Sequence, residues 1–166
     1  MKLRLIIIII FFLNFFNCEK SISQEKKSIT EQAENKNSAE KTAIGFIVDY
    51  IKYCDDRNPK PRLIEWVSKQ KNVSEKFKTE LKRIIEEAVK QNAEFGLGFD
   101  PILVAQDYPD DGFKISEFDS ISNYLTLEAK SWKNFKITMK MKKVKNQWLV
   151  HGCGIINIPK TKQAKR

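Results

Sequence analysis

Apolar residues in the first part of the folded chain recur at the spacing of a helix. At positions i, i+3, i+4, i+7 and i+10 along one face stand Ile44, Ile47, Val48, Ile51 and Cys54. Ser38 is a suitable N-cap for this helix, because its hydroxyl can accept a free backbone amide. Pro59 and Pro61 lack the amide proton that a helix needs, so we expect the helix to end near residues 55–58.

Two further helices are predicted before the pattern changes. A short one covers Arg62 to Lys71, and a longer one follows Ser74, a second suitable N-cap. Along one face of the longer helix, opposite a row of Glu and Lys, stand Phe77, Leu81, Ile84, Ile85, Ala88 and Val89. A stripe at this spacing is typical of a helix that packs on a core, and the glycine-containing residues 92–98 then end the helix.

After the joint Phe99 to Gly112, the apolar period changes to two, which is typical of strands. Four strands are predicted, separated by short polar turns: Phe113 to Phe118, Ile121 to Ala129, Trp132 to Lys142 and Gln147 to Ile158. The third alternates apolar residues with Lys and Thr, so one sheet face should pack on the helices and the other should be wet and basic. We therefore expect an α+β fold, in which N-terminal helices pack on one face of a curved antiparallel sheet of about four strands.

The N-terminus has the pattern of a secretory signal peptide. Lys2 and Arg4 precede an apolar run from Leu5 to Phe16, which only Asn14 interrupts. As a helix this run would reach only about 18 Å, short of the bilayer core of about 30 Å, so a membrane span is not expected. We interpret residues 1–17 as a signal peptide.

Cys18 directly follows the apolar run, and this segment resembles the lipobox of bacterial lipoproteins. The resemblance implies that Cys18 is acylated, for example with palmitate, becomes the new N-terminus and holds the protein on a membrane. The alternative is an ordinary signal peptide that is cleaved nearby. Residues 19–38 contain no aromatic residue and few apolar ones, so residues 18–38 are predicted to be a lipidated cysteine followed by a disordered tether.

The length and net charge of the chain indicate its number of domains and its expected partners. A chain of 166 residues is expected to hold one domain, which we place at residues 39–158, followed by a basic tail at 159–166. The net charge is +9, but the lysines are spread along the chain and few aromatic residues accompany them, so nucleic acid is not an expected partner. The predicted strand lysines form either a solvated face or a face attracted to anionic lipid head groups: Lys133, Lys136, Lys140, Lys142, Lys143 and Lys145.

Candidate chemistry is sparse. His151 is the only histidine, so a zinc site built of histidines is excluded, and neither a cofactor nor a metal ligand set is predicted. The acidic turn at residues 107–112 lacks the spacing of a calcium loop, since proline and phenylalanine fall where oxygen ligands are needed. Cys54 and Cys153 form either a disulfide, in an oxidising compartment, or two buried thiols.

Three motifs carry a family resemblance: Phe99-Asp100-Pro101-Ile102, Ala105-Gln106-Asp107-Tyr108-Pro109 and Asn146-Gln147-Trp148-Leu149-Val150. Together with the order of helices and strands, they resemble the uncharacterised YbjP-type envelope lipoproteins of bacteria. The domain of that family is similar to the nuclear-transport-factor-2-like, or cystatin-like, α+β cone. The resemblance covers residues 39–158, and it implies the fold, the lipid anchor and association with envelope assemblies. It implies no catalytic residues.

The expected function is therefore binding. We predict a lipid-anchored protein of the bacterial cell envelope, facing the periplasm or the cell surface, that acts as a non-catalytic binding or accessory module for an envelope protein partner. One alternative is a periplasmic inhibitor or immunity-type protein. An alternative of another class is a small pocket enzyme of the same fold, with Asp107 as the acid–base group beside Tyr108, Tyr50 and Tyr53.

Overall fold

The helices precede the strands along the chain, in the order that the sequence predicts. A computed structural model describes residues 39–165. Helix α1 covers described residues 39–55, α2 covers Leu63–Ser68 and α3 covers Glu75–Gln91. The strands are β1 Phe113–Asp119, β2 Tyr124–Ala129, β3 Lys136–Val144 and β4 Gln147–Cys153, and a 3-10 helix covers Lys160–Lys162. The predicted signal peptide, Cys18, the tether and the Ser38 cap lie outside the described residues.

The four strands form one curved, unclosed antiparallel sheet in the order β1-β2-β3-β4. Each strand therefore pairs with its neighbours along the chain, as short turns require. The register shifts once in the pairing of β1 with β2 and once in that of β3 with β4, where Ser116 and His151 have no opposite residue. The predicted α+β fold is confirmed.

The core lies between the helices and the inner face of the sheet. From the helices it takes Phe46, Ile47, Tyr50, Val67, Phe77 and Leu81, and from the strands Leu125, Leu127, Ile137, Met139, Met141 and Val150. Ser74 caps α3 as predicted, since its Oγ accepts the amide of Phe77 at 3.3 Å. Lys60 closes the end of α1, where its Nζ donates to the carbonyls of Tyr53 and Cys54 at 2.7 Å each.

Each of the helices α1 and α3 buries only part of its apolar face against the core. Val48 on α1 and Val89 on α3 are 41% and 48% exposed, although both were expected to be buried. Within the described part of the chain, no helix is long and apolar enough to cross a membrane.

All four strands differ from the prediction at one end or more. Strand β1 ends at Asp119 rather than Phe118. Strand β3 covers Lys136–Val144 rather than Trp132 to Lys142, because the amide of Phe135 donates to the carbonyl of Trp132 at 3.1 Å and so closes a turn before it. Strand β2 begins at Tyr124 because Asp119 Oδ1 accepts the amide of Ile121 at 2.9 Å and so closes a turn before it. Strand β4 ends at Cys153 because Gly154 follows with a φ of 62°, a left-handed conformation that turns the chain.

The outer face of the sheet is not the fully open basic surface that the sequence predicts. Residues 157–162 fold back across part of it. Asn157 Nδ2 donates to the carbonyl of His151 at 2.8 Å, Nζ of Lys162 lies 5.8 Å from the centre of the Tyr124 ring, and Ile158 is only 4% exposed. A Cβ on Gly152 would stand 2.8 Å from the side chain of Ile158, so the missing side chain is what lets the returning segment lie on β4. Lys140 on this face is half-buried, with its Nζ 4.2 Å from the centre of the Tyr124 ring. The prediction of a wholly wet face is therefore wrong.

Candidate binding site

The carboxylate of Asp100 organises the joint between the helices and the sheet. Its Oδ1 accepts the backbone amides of Ile102 and Leu103 at 2.8 and 2.7 Å, which closes a turn at the start of the joint. Its other oxygen accepts the hydroxyl of Tyr50, which lies fifty residues earlier on α1. One carboxylate therefore ties this turn to the first helix.

Tyr50 lies within the aromatic part of the core and is 1% exposed. Burial, followed by the neighbouring charge of Asp100, raises the pKa of Tyr50 far above its usual range, so the phenol keeps its proton and donates it to the carboxylate. The Tyr50 ring lies 5.5 Å from the ring of Trp66 and 6.0 Å from that of Tyr53. This tyrosine is thus a packed donor rather than a group open to a substrate.

The structure places the four predicted pocket residues in different surroundings. Tyr50 and Tyr53 stack on each other, whereas Tyr108 donates to Asp55 Oδ1 at 2.8 Å, beside the end of α1. Asp107 is exposed, and its Oδ1 accepts the amide of the next residue, Tyr108, at 2.9 Å. The carboxylate that stands beside Tyr50 is therefore Asp100, not Asp107.

Cys54 and Cys153 are both free thiols in the structure, Cys153 buried and Cys54 half-buried. Cys153 is fully buried, and its Sγ donates to the carbonyl of Ile102 at 3.6 Å. Burial raises the pKa of both thiols, that of Cys153 well above its usual value. A raised pKa leaves little thiolate, so neither cysteine is activated as a nucleophile. Among residues 39–165, no group of acidic, histidine and cysteine side chains is placed to hold a metal ion.

A cleft of about 450 Å³ opens to solvent beside the joint, and we call it the aromatic cleft. It is lined by Phe95, Leu97, Gly98, Phe99, Asp100, Ala105, Gln106 and Tyr108. Phe95 and Phe99 are 68% and 38% exposed. Gly96 and Gly98 have φ values of 54° and 70°, which permit the turns that hold this segment outside the core. Gln106 joins the two sides of the cleft, because its Nε2 donates to the carbonyl of Gly98 at 3.0 Å.

The lining of the aromatic cleft suits contact rather than reaction. Its rings offer apolar surface, and their faces attract positive charge. Its carboxylate, Asp100, already accepts three hydrogen bonds, and no lysine or arginine lines the cleft. This arrangement fits an apolar or cationic side chain of a bound molecule. The sequence prediction missed Phe95 and Phe99 because loop residues show no periodicity that separates exposed rings from buried ones.

Comparison with known proteins does not place the chain in a family. No family model matches the chain, and no curated protein matches it. A crystal structure of a protein of unknown function from Bacteroides thetaiotaomicron is similar, with 18% sequence identity, coverage of 75% of this chain and 98% of that chain, and a TM-score of 0.43. The resemblance to the YbjP-type lipoproteins gains no support from these comparisons and stays a prediction.

Proposed function

We propose that this chain is a lipid-anchored protein of the bacterial cell envelope that binds a protein partner through the aromatic cleft and performs no chemistry on it. The binding part rests on one observation, the exposure of Phe95 and Phe99 at the rim of an open cleft. The anchor part rests on the sequence of residues 1–18.

Exposed aromatic rings favour association because they leave apolar area in water. Covering about 100 Å² of ring surface contributes about 2.5 kcal/mol, at about 25 cal/mol per Å². Aromatic side chains are also the commonest residues at the energetic centre of protein interfaces. Phe95 and Phe99 are separated by two glycines and a leucine in a segment that adds little to the core, so their exposure has no evident structural use.

Site-specific photocrosslinking in cells tests the binding part. A photoreactive phenylalanine analogue at Phe95 of the full-length protein should form a defined crosslink to a protein in the membrane fraction. The same analogue at Trp132 provides a matched control, since Trp132 is 42% exposed but lies on the turn between β2 and β3. Equal crosslinks from both positions, or none from Phe95, would contradict the proposed cleft.

Loss of the rings gives an independent measurement of the same site. Phe95→Ser with Phe99→Ser should weaken binding of the crosslinked partner by at least about thirtyfold, the cost of about 2 kcal/mol typical of an aromatic anchor. Val48→Ser on α1 removes another exposed apolar side chain and should leave partner affinity unchanged.

The anchor has its own test, so that its failure is distinct from failure of the cleft. The intact mass of the protein from membranes should correspond to an acylated chain that begins at Cys18. Cys18→Ser should release the chain from the membrane while leaving the affinity of the cleft intact. A soluble, unmodified wild-type chain would refute the anchor and leave the binding proposal standing.

A further inference from the structure

A second groove lies between the first turn of α3 and β4, about 500 Å³ in volume. We call it the basic groove. Its lining comes from the segment before α3, from the start of α3 and from β3 and β4: Lys71, Val73, Ser74, Glu75, Lys76, Lys78, Lys142, Val144, Gln147, Leu149 and His151. The aromatic cleft shares none of these residues.

Positive charge dominates the rim of the basic groove. Lys78 is paired with Glu75 at 2.9 Å, so these two charges cancel. Lys71, Lys76 and Lys142 are exposed, and within residues 39–165 none of the three forms an ion pair. Three lysines from different parts of the fold therefore line one groove, and none of them is in an ion pair with an acidic side chain of residues 39–165.

A hydrogen bond between His151 on β4 and Ser74, the N-cap of α3, joins the two sides of the basic groove. The Oγ of Ser74 lies 3.0 Å from Nδ1 of His151 and also accepts the amide of Phe77. Burial and the charges of Lys142, Lys76 and Lys140 lower the pKa of His151, so the ring is neutral near pH 7.

The floor of the basic groove is apolar. Val73 is buried, Leu149 is half-buried and Val144 is 41% exposed. A small inorganic anion would leave this floor in water, and a flat bilayer would touch the lysine rim without reaching the floor. An extended chain with alternating acidic and apolar side chains contacts both the lysine rim and the apolar floor.

We propose that the basic groove binds an extended acidic segment of a partner polypeptide. Its carboxylates contact Lys71, Lys76 and Lys142, while its apolar side chains cover Val144 and Leu149. This proposal is independent of the aromatic cleft and of the lipid anchor.

Fluorescence anisotropy with a labelled peptide of alternating Glu and Leu tests the proposal, using the full-length chain in a neutral detergent. The wild-type protein should bind this peptide and should not bind a peptide of alternating Lys and Leu. The affinity should fall as salt rises, since the rim contacts are screened. The triple variant Lys71→Gln, Lys76→Gln, Lys142→Gln should weaken binding by at least about tenfold, a modest loss for three exposed charge contacts.

A matched control removes three lysines elsewhere: Lys41→Gln, Lys130→Gln and Lys133→Gln. Lys41 lies on α1. Lys130 and Lys133 lie on the turn between β2 and β3, at the other end of β3 from Lys142. This variant has the same net charge as the first and should bind within about twofold of wild type. Val144→Thr, which keeps the shape of the side chain, should weaken binding of the Glu–Leu peptide but not that of a Glu–Ser peptide.

The remaining outcomes overturn the proposal. Equal losses in both triple variants would mean that only net charge matters. Displacement of the peptide by millimolar inorganic phosphate would indicate a small-anion site. Binding to phosphatidylglycerol vesicles that depends on the groove lysines, without binding of the peptide, would indicate a membrane surface.

Discussion

Removing the Asp100 carboxylate should destabilise the fold more than removing any other acidic group of the joint. In Asp100→Ala, the amides of Ile102 and Leu103 and the hydroxyl of Tyr50 lose their acceptor. Ile102, Leu103 and Tyr50 are each no more than 1% exposed, although Asp100 itself also lines the aromatic cleft. The variant therefore removes one charged acceptor from three buried donors.

The size of the effect follows from these three bonds. A hydrogen bond to a charged group contributes about 1.5–3 kcal/mol, and a buried donor without a partner costs about 1–3 kcal/mol. Local relaxation and entry of water recover part of this sum, so we expect a loss of about 3–5 kcal/mol in the free energy of unfolding. Against a typical total of about 5–15 kcal/mol, the variant is left near the limit of stability.

Urea unfolding followed by tryptophan fluorescence measures this loss, because Trp66 lies 5.5 Å from the ring of Tyr50. With an m value of about 2 kcal/mol/M, the midpoint should fall by about 2 M. Asp107→Ala is the matched control. The Asp107 carboxylate is exposed and bonded to a neighbouring amide, so this variant should change stability by no more than about 0.5 kcal/mol.

A double-mutant cycle isolates the bond between Asp100 and Tyr50. Tyr50→Phe alone should cost about 1–2 kcal/mol, and its effect should largely disappear in the Asp100→Ala background. Equal stability of Asp100→Ala and Asp107→Ala, or strictly additive losses in the cycle, would refute the role assigned to Asp100.

Three further predictions concern other parts of the fold. Gly154→Ala should lower the free energy of unfolding by at least about 3 kcal/mol, as measured by thermal or urea unfolding, because the new Cβ would stand 2.3 Å from the Pro101 carbonyl oxygen at a φ of 62°. Gly98 has a φ of 70° but open space around it, so Gly98→Ala should lower the free energy of unfolding by only about 1 kcal/mol. In native protein at pH 8, iodoacetamide should modify half-buried Cys54 well before buried Cys153, as measured by peptide mass spectrometry. Equal rates of alkylation at the two cysteines would contradict the burial and the raised pKa of Cys153. Burial and nearby lysines lower the pKa of His151 in the folded state, so the unfolded chain binds the proton first as pH falls. The free energy of unfolding should therefore decline as pH drops below about 6.5 toward the folded pKa, and His151→Gln should flatten this decline. An NMR titration that gives His151 a pKa at or above about 6.5 would contradict the prediction.

Periodicity was enough to predict the elements, because burial of one helix stripe and one strand face leaves a regular signal. The cap of α3 by Ser74 is local and is confirmed. Along β3 the apolar Ile137, Met139 and Met141 are buried as the alternation predicts, but Thr138 on the opposite face is buried as well. The exposure of Val48 and Val89 was not predictable in this way. The width of the stripe that a helix buries depends on what packs against it, and that partner is set by the tertiary fold.

The difference between Asp100 and Asp107 shows where local pattern stops being informative. Both residues lie in the joint, and both accept nearby amides. Asp100 precedes a proline and bonds the amides two and three residues on, which is a recognisable turn signal. Its bond to Tyr50 spans fifty residues, and no spacing rule in one sequence connects the two. A structural tyrosine and a catalytic one therefore look alike until the carboxylate beside them is known.

The two proposed surfaces lie at opposite ends of one rigid element. Ser74, Lys76 and Lys78 place the basic groove at the start of α3, and Phe95 follows shortly after its end. A helix of 17 residues is about 25 Å long, so no single side chain of a partner reaches both surfaces. A partner that uses both must present an acidic segment and an apolar or cationic side chain about this distance apart. Because the sites share no residue, losses of affinity for such a partner from the Phe95→Ser and Lys142→Gln variants should add on the free-energy scale.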